Sequence, residues 1–288
     1  MDESETIFWR EVALEIIAKV EKAISPLIGK KESGEVIKMG ADGTPSKLID
    51  LVAEKEVISI LEKISYPILL ISEEIGELEI GCESTDKSYI KDTDSKIVFV
   101  VDPLDGTSNA VKNIPAYGIS LAVAKYPFKK RAPQLKDVKM GFVKNFATGD
   151  FFEGLKGKGA NLNGEKIQGS DLIDVNNSSM GLFIYGTTFN QIDHLFQQIR
   201  RMRILGSVSI ELCYVANGSY DAFVDINENL RVIDIAASQL IITESGGKIS
   251  TQQGKPINKV LNAKERTSIV AAGNEKLHEK LIEIMEVI

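Results

Sequence analysis

Apolar residues recur at helical spacing from Ile7 to Ile24, through Val12, Ile16 and Val20 with Ala13 and Ile17 beside them. The run stops before Pro26, which disfavours helix in the residue preceding it, so a first amphipathic helix is predicted there. A second is predicted over Ser46 to Ile64, with Leu48, Leu51, Val52, Val57, Ile58 and Leu61 inward and Pro67 just beyond its end. Between them Gly29 to Pro45 is polar, glycine-punctuated and reads as a mobile loop. Short apolar runs at Ile68 to Ile71 and Ile97 to Val101 predict buried strands, whereas Leu78 to Lys96 is mostly polar and reads as irregular. From Tyr117 the period drops to two: Ile119, Leu121 and Val123 alternate with Ser120, Ala122 and Ala124. A hairpin over Met140 to Glu153, turning at Thr148, Gly149 and Asp150, and a tight return over Gly154 to Ile167 follow. The remainder predicts strands at Met180 to Tyr185, Tyr220 to Asp225, Lys248 to Thr251 and Ser268 to Ala272. Helices are predicted at Gln191 to Met202, Ser207 to Asn217, Asp234 to Glu244 and Glu275 to Glu286. Helices and strands interleaved around a β-rich middle predict a layered α/β or α+β sandwich rather than a barrel.

Composition narrows the partners. The 288 residues suffice for one large α/β unit or two small domains, and 43% hydrophobic with 26% charged residues is ordinary for a globular protein. A net charge of −7, from 34 basic and 41 acidic residues, argues against nucleic acid bound through a basic surface. The start, MDESE, lacks a signal-peptide pattern, and no apolar stretch nears the ~18 residues of a membrane span, so a cytoplasmic protein that does not enter the membrane is expected. Cys82 and Cys213 read as reduced thiols there, Cys213 on a buried helix face.

Candidate chemistry sits at strand ends. DPLDGTSN, Asp102 to Asn109, follows the Ile97 to Val101 run, with Pro103 and Gly106 predicting an abrupt turn straight after it. Alone, Asp102 and Asp105 could be ordinary turn residues. However, Ile68 to Ile71 also ends in Ser72, Glu73 and Glu74, and Leu230 to Ile233 runs into Asp234. Three apolar segments thus deliver acids at their C-terminal ends, where open α/β sheets place ligands. Glu73, Asp102, Asp105 and Asp234 brought together would repel unless cations lay between them. An all-oxygen donor set selects a hard ion such as Mg2+, and two histidines and two cysteines without ligand-like spacing argue against zinc.

On ISEEIGE (Ile71 to Glu77), VDPLDGTSN (Val101 to Asn109) and VIDIAASQLIITESGG (Val232 to Gly247), the chain resembles the inositol monophosphatase family over nearly its full length, especially its archaeal inositol monophosphatase/fructose-1,6-bisphosphatase branch. Ile233 stands where that family often has tryptophan. The resemblance implies a layered αβαβα sandwich of the sugar-phosphatase type, one catalytic unit with subdomains near 1–175 and 176–288, and a Mg2+-dependent phosphate monoester hydrolase. It implies two or three Mg2+ on Glu73, Asp102, Asp105, Asp234 and the Leu104 carbonyl, and a catalytic group of Asp50, Thr107 and Glu73 in which the first two orient the attacking water. Read alone, Asp50 is as well a solvent-facing helix acid and Thr107 a helix N-cap. For substrate, the resemblance implies Asp105, the amides of Gly106, Thr107 and Ser108 at a helix start, the segment RILGSVS with Arg203, Gly206, Ser207 and Val208, and Asp225. Arg203 is otherwise a surface cation, and the GADGTPS loop with Asp42 is either a lid offering a loosely held metal an acid or a plain connector. Inositol 1-phosphate, fructose 1,6-bisphosphate and the 2′-phosphate of NADP all remain compatible substrates. A homodimer and fusion to an NAD kinase domain are implied by resemblance only.

Two rivals stand against this reading. The DGT string also ends the DxDGT motif of haloacid-dehalogenase-like enzymes, but Asp102 and Asp105 are three apart with Pro103 between, which disfavours an aspartyl-phosphate route. A non-catalytic regulatory subunit that binds metal or anion on the same fold would not need a water-orienting pair.

Overall fold

The computed structural model describes residues 1–41, 43–81, 94–185, 193 and 195–286. Helix α1 (Glu3–Ile24) begins ahead of the apolar pattern because Asp2 caps it: its carboxylate accepts the Glu5 amide at 2.8 Å while Glu5 accepts the Asp2 amide at 3.1 Å. Helix α2 (Leu48–Leu61) packs beside α1.

Both helices cover one face of an eight-stranded sheet. Its strands are β3 (Ile68–Ser72), β4 (Gly76–Ile80), β5 (Lys96–Asp105), β6 (Gly118–Tyr126), β7 (Val138–Asn145), β8 (Phe151–Leu155), β9 (Gly159–Leu162) and β10 (Glu165–Lys166), in the order β10-β9-β8-β7-β6-β5-β3-β4. In β5, Ile97, Phe99 and Val101 pack toward α1 and α2, while Val98 and Val100 enter a second core on the opposite face. Burial on both faces is why this strand reads as an unbroken apolar run rather than an alternation.

That second core is shared with α4 (Val208–Ala216), α5 (Val232–Ile235) and α6 (Ser238–Glu244), and with a five-stranded sheet beyond them. The second sheet, ordered β12-β11-β13-β15-β14, comprises β11 (Ser179–Leu182), β12 (Arg201–Arg203), β13 (Ala222–Arg231), β14 (Lys248–Ser250) and β15 (Arg266–Ala272). Helix α7 (Glu275–Glu286) closes its far face. The layers run αβαβα, as the resemblance implied. No helix among the described residues is long and apolar enough to cross a membrane.

Several local expectations are corrected. Gly29 to Pro45 is not a plain loop: β1 (Val36–Met39) pairs antiparallel with β2 (Pro45–Lys47), and the hairpin escaped notice because all four β1 residues are exposed and show no alternation. Leu78 to Lys96 begins inside β4, and residues 82–93, with Cys82, lie outside the description. Strand β5 does not turn after Val101; it continues to Asp105 through a bulge, since Asp102 pairs with Ser120 and Asp105 with Gly118. Pro103, which has no N–H to offer the ladder, sits in that bulge. The helix predicted through Met202 gives way to edge strand β12, parallel to β11. The helix predicted from Asp234 to Glu244 divides into α5 and α6. Cys213 is fully buried on α4, while His194 and Asp42 fall outside the described residues.

Candidate active site

Strands β3 and β5 run parallel and in register, with Ser72 opposite Val101. That pairing sets Glu73 and Asp102, the next residues on each, side by side. Asp102 is buried, and one of its oxygens accepts the Leu104 amide at 3.1 Å across the bulge. Burial, then the charges of Glu73 and Asp105, push its pKa well above the usual carboxylate range; Asp234 adds to the same effect.

Gly106 ends the strand at φ +83°, where a Cβ would meet the Ala116 carbonyl oxygen at 2.6 Å. Only glycine fits that approach. It caps α3 (Thr107–Lys112), its carbonyl accepting the Asn109 amide at 2.8 Å and the Ala110 amide at 3.0 Å, so the Thr107 and Ser108 amides are the ones the helix start can offer. The Thr107 hydroxyl lies 2.7 Å from Asp50 Oδ1 and 3.0 Å from the Leu104 carbonyl. Asp50 stands in the first turn of α2, its other oxygen accepting the Lys47 amide at 2.9 Å. It is buried rather than solvent-facing, and burial raises its pKa despite the bonds from Lys47 and Thr107.

Asp105 reaches across to the second sheet's side of the molecule. Its Oδ2 accepts the Ser207 hydroxyl at 2.8 Å, the Ser209 amide at 2.8 Å and the Ser209 hydroxyl at 2.6 Å, so it caps α4 from 104 residues away. A carboxylate at a helix N-terminus gains from the macrodipole. Burial nevertheless raises its pKa, with Asp234 adding to the effect and the serine bonds opposing it.

Glu73 and Asp234 face a group that motif reading did not single out, Arg231. Its guanidinium lies 2.5 and 3.1 Å from the two Glu73 oxygens and 2.8 Å from Asp234 Oδ1, while its amide donates to Asp234 Oδ2 at 3.0 Å. Burial alone would depress the Arg231 pKa, but the Asp234 and Glu73 carboxylates raise it above its ordinary value. The signal available in sequence was a cation three residues before an acid at a strand-to-helix junction. Lys47 was also passed over; its ammonium is 3.0 Å from the Ser108 hydroxyl, at the start of α3.

The remaining predicted contacts are placed as follows. Asn109 ties α3 to the RILGSVS loop by donating to the Leu205 carbonyl at 2.8 Å, and Gly206 takes φ +82° there. Val208 is buried in the inter-sheet core, so its backbone is what that loop can offer. The exposed Arg203 lies over the Tyr220 ring, 5.5 Å from its centroid, and donates to Ser179. Asp225 is fully buried, and its carboxylate accepts the amides of Asn227, Asn229 and Leu230 at 3.1, 3.2 and 3.3 Å, closing an irregularity in β13. Thr44, from the β1–β2 turn, donates to Glu73 at 3.3 Å.

The donor set is all oxygen and largely buried, with carboxylates that disfavour one another's charge, which is the chemistry of a hard-cation site. As they stand, no three His, Cys, Asp or Glu side chains among the described residues are gathered closely enough to hold a metal ion. Glu73 and Asp234 are turned to the guanidinium instead.

Comparisons with known proteins show the family. Residues 3–288 match the inositol monophosphatase family. A fructose-1,6-bisphosphatase/inositol-1-monophosphatase of Methanothermobacter thermautotrophicus is 54% identical over 288 residues, spanning 100% of both chains. A bifunctional NADP phosphatase/NAD kinase of Methanocaldococcus jannaschii is 40% identical over 94% of this chain, which spans 49% of that longer protein. Among solved structures, a hypothetical protein from Pyrococcus horikoshii with similarities for inositol-1 monophosphatase superposes with a TM-score of 0.77 at 32% identity, covering 96% of this chain and 97% of that one.

Proposed function

The chain belongs to the inositol monophosphatase family, and from that premise we propose that it hydrolyses phosphate monoesters of small metabolites with Mg2+, acting on inositol 1-phosphate and fructose 1,6-bisphosphate in preference to NADP. The observation that carries this reading is the parallel β3–β5 register that sets Glu73 beside Asp102, with Arg231 joining Glu73 to Asp234 and a Thr107 hydroxyl bonded to Asp50 at 2.7 Å at the end of the same strand. The substrate order follows the relatives: the sugar-phosphate name belongs to a protein matched end to end at 54% identity, the NADP name to one matched across 49% of its length at 40% identity.

Glu73, Asp102, the Leu104 carbonyl, Asp105 and Asp234 are the residues that would hold the cation. Bound there, Mg2+ would lower the pKa of a water and screen the phosphoryl oxygens. All three donors to Asp105 go to Oδ2, which leaves Oδ1 as the oxygen to offer. Thr107 carries one hydroxyl proton. Given to Asp50, the nearer acceptor, it leaves the Thr107 oxygen able to accept from a water and aim it, and leaves the Leu104 carbonyl its lone pairs. The Thr107 and Ser108 amides at the start of α3, with Lys47 beside Ser108, supply donors and positive charge for a phosphate.

Phosphate release from the three compounds at matched concentration, with Mg2+ and with chelator, tests the reading. Mg2+-dependent turnover of the two sugar phosphates with little on NADP is expected. Preference for NADP would overturn the substrate order, and silence on all three by a protein that binds Mg2+ would replace catalysis with a regulatory role.

A further inference from the structure

Four acids bear on one another's charge in this region, and one cation among the described residues, Arg231, lies between two of them. Arg231 is 14% exposed, and its guanidinium meets both oxygens of Glu73 on one side and Asp234 on the other. These two acids come from opposite sheets: Glu73 follows β3, Asp234 lies in α5 after β13, and the Arg231 to Glu73 contact joins residues 158 apart. The guanidinium fork spends its donors in pairs on planar carboxylates, the arrangement in which arginine binds most firmly.

We propose that Arg231 is a resident counter-cation of the site, holding Glu73 and Asp234 when no divalent ion is bound, so that an ion must displace it to use those carboxylates. Arg231 is then a positioning residue that sets metal affinity, not a ligand and not a group that touches the reacting atoms. The proposal rests on the reading of these acids as a Mg2+ site. Two consequences follow from charge. Removing Arg231 deletes a positive charge adjacent to the incoming ion and frees two carboxylates, so the divalent ion binds more tightly. The metal-free protein, losing the only charge compensation seen between those acids in the described residues, is less stable.

The test is divalent-ion binding without substrate: Mg2+ by calorimetry and Mn2+ by the electron paramagnetic resonance signal of the free ion, on wild type, Arg231→Met and Arg231→Lys. Thermal melts of each are recorded with chelator and with Mg2+. Arg231→Met is expected to bind the first ion about tenfold more tightly than wild type. It should melt lower in chelator and gain more from Mg2+ than wild type does. Arg231→Lys, which keeps one charge and loses the fork, should fall between them. If Arg231→Met folds only when Mg2+ is present, the ion is replacing the guanidinium and the proposal stands. Should it fold under neither condition, Arg231→Lys decides, and affinity equal to or weaker than wild type overturns the proposal. Equal or weaker binding by a folded Arg231→Met overturns it likewise, because arginine would then be orienting the ligands rather than competing for them. Absence of divalent binding by wild type and variants alike instead sinks the metal-site reading beneath it.

Discussion

The acids of the site fall into two pairs held in different ways. Asp102, buried, and Asp105, half-buried, at the end of β5, have no ion pair among the described residues; amides and serine hydroxyls are what they receive. Glu73, after β3, and Asp234, in α5, share a guanidinium. The inner pair therefore keeps a charge demand that hydrogen bonds reduce but do not cancel, and its raised pKa values express that demand. In the outer pair the demand is already met. A site built this way has one half poised for cations and another half that must exchange one cation for another.

The comparison is broken most severely by removing an inner acid. Asp102→Asn is expected to lower kcat/KM about a thousandfold or more, because catalysis of this kind is mostly charge stabilisation and alignment. Near-normal turnover at saturating Mg2+ would show that the inner pair is not where the cation acts. Next in size is Thr107→Ala, which removes the hydroxyl that links Asp50 to the strand end. It should cost about a hundredfold in kcat while leaving Mg2+ affinity within a few-fold, and Thr107→Ser should recover most of the rate. A loss carried by Mg2+ affinity would mean that Thr107 serves the ligands and not the water.

Without divalent ions the two pairs should respond in opposite directions. Asp102→Asn deletes a buried charge that the more distant Arg231 offsets only in part and keeps an oxygen for the Leu104 amide, so its melting temperature in chelator at pH 8 should rise by about 4 °C. Glu73→Gln takes a charged partner from a buried arginine and should lower it by a similar amount, about 4 °C. Shifts of the same sign in both would erase the distinction between the pairs.

How much of this was legible in the chain depends on whether the relevant neighbours are close in sequence. DPLDGTS is contiguous, so the Gly106 turn and the helix start at Thr107 could be read together, whereas the strand end was placed at Val101 instead of Asp105 because Pro103 and Gly106 read as one turn and the bulge does not show in the sequence. The meeting of Glu73 with Asp102 needed only the premise that their strands share a sheet, although the parallel register with Ser72 opposite Val101 is a tertiary fact. Asp50 was ambiguous for the opposite reason: a first-turn acid looks the same whether it faces solvent or Thr107, and burial decides. Arg231 could not be resolved by local pattern, since its second partner lies 158 residues away. The same holds for Ser207 and Ser209, which the segment offers to substrate and the fold sends to Asp105. Strand β12 failed for a further reason. Its three residues are exposed and pair only along one edge, so the hydrophobic period that marks a buried strand is missing.

Glu211 sharpens the comparison with the smallest expected effect. Like the inner pair it has no ion pair among the described residues. It accepts the amides of Leu205 and Gly206, both at 3.1 Å, and so clamps the loop that carries Ser207 to Asp105, while its other oxygen is buried without a hydrogen-bond partner. Burial raises its pKa from 4.5 to about 7 in spite of those amides. The folded protein therefore keeps a proton that the unfolded chain has already released. Stability from this group is fully present below pH 4.5 and declines as pH rises to about 7, by at most about 3 kcal/mol. Glu211→Gln retains an acceptor for both amides and cannot ionise. Urea denaturation in chelator from pH 5 to 8 should show wild-type stability falling more steeply than the variant's, with the two converging at the acid end. Because Glu54, raised to about 7 by its own burial, and Asp102 contribute equally to both proteins, the difference between the curves reports Glu211 together with its coupling to Asp105. Parallel curves would mean that the loop amides alone satisfy the charge, and that a carboxylate here can be held without a cation at no cost.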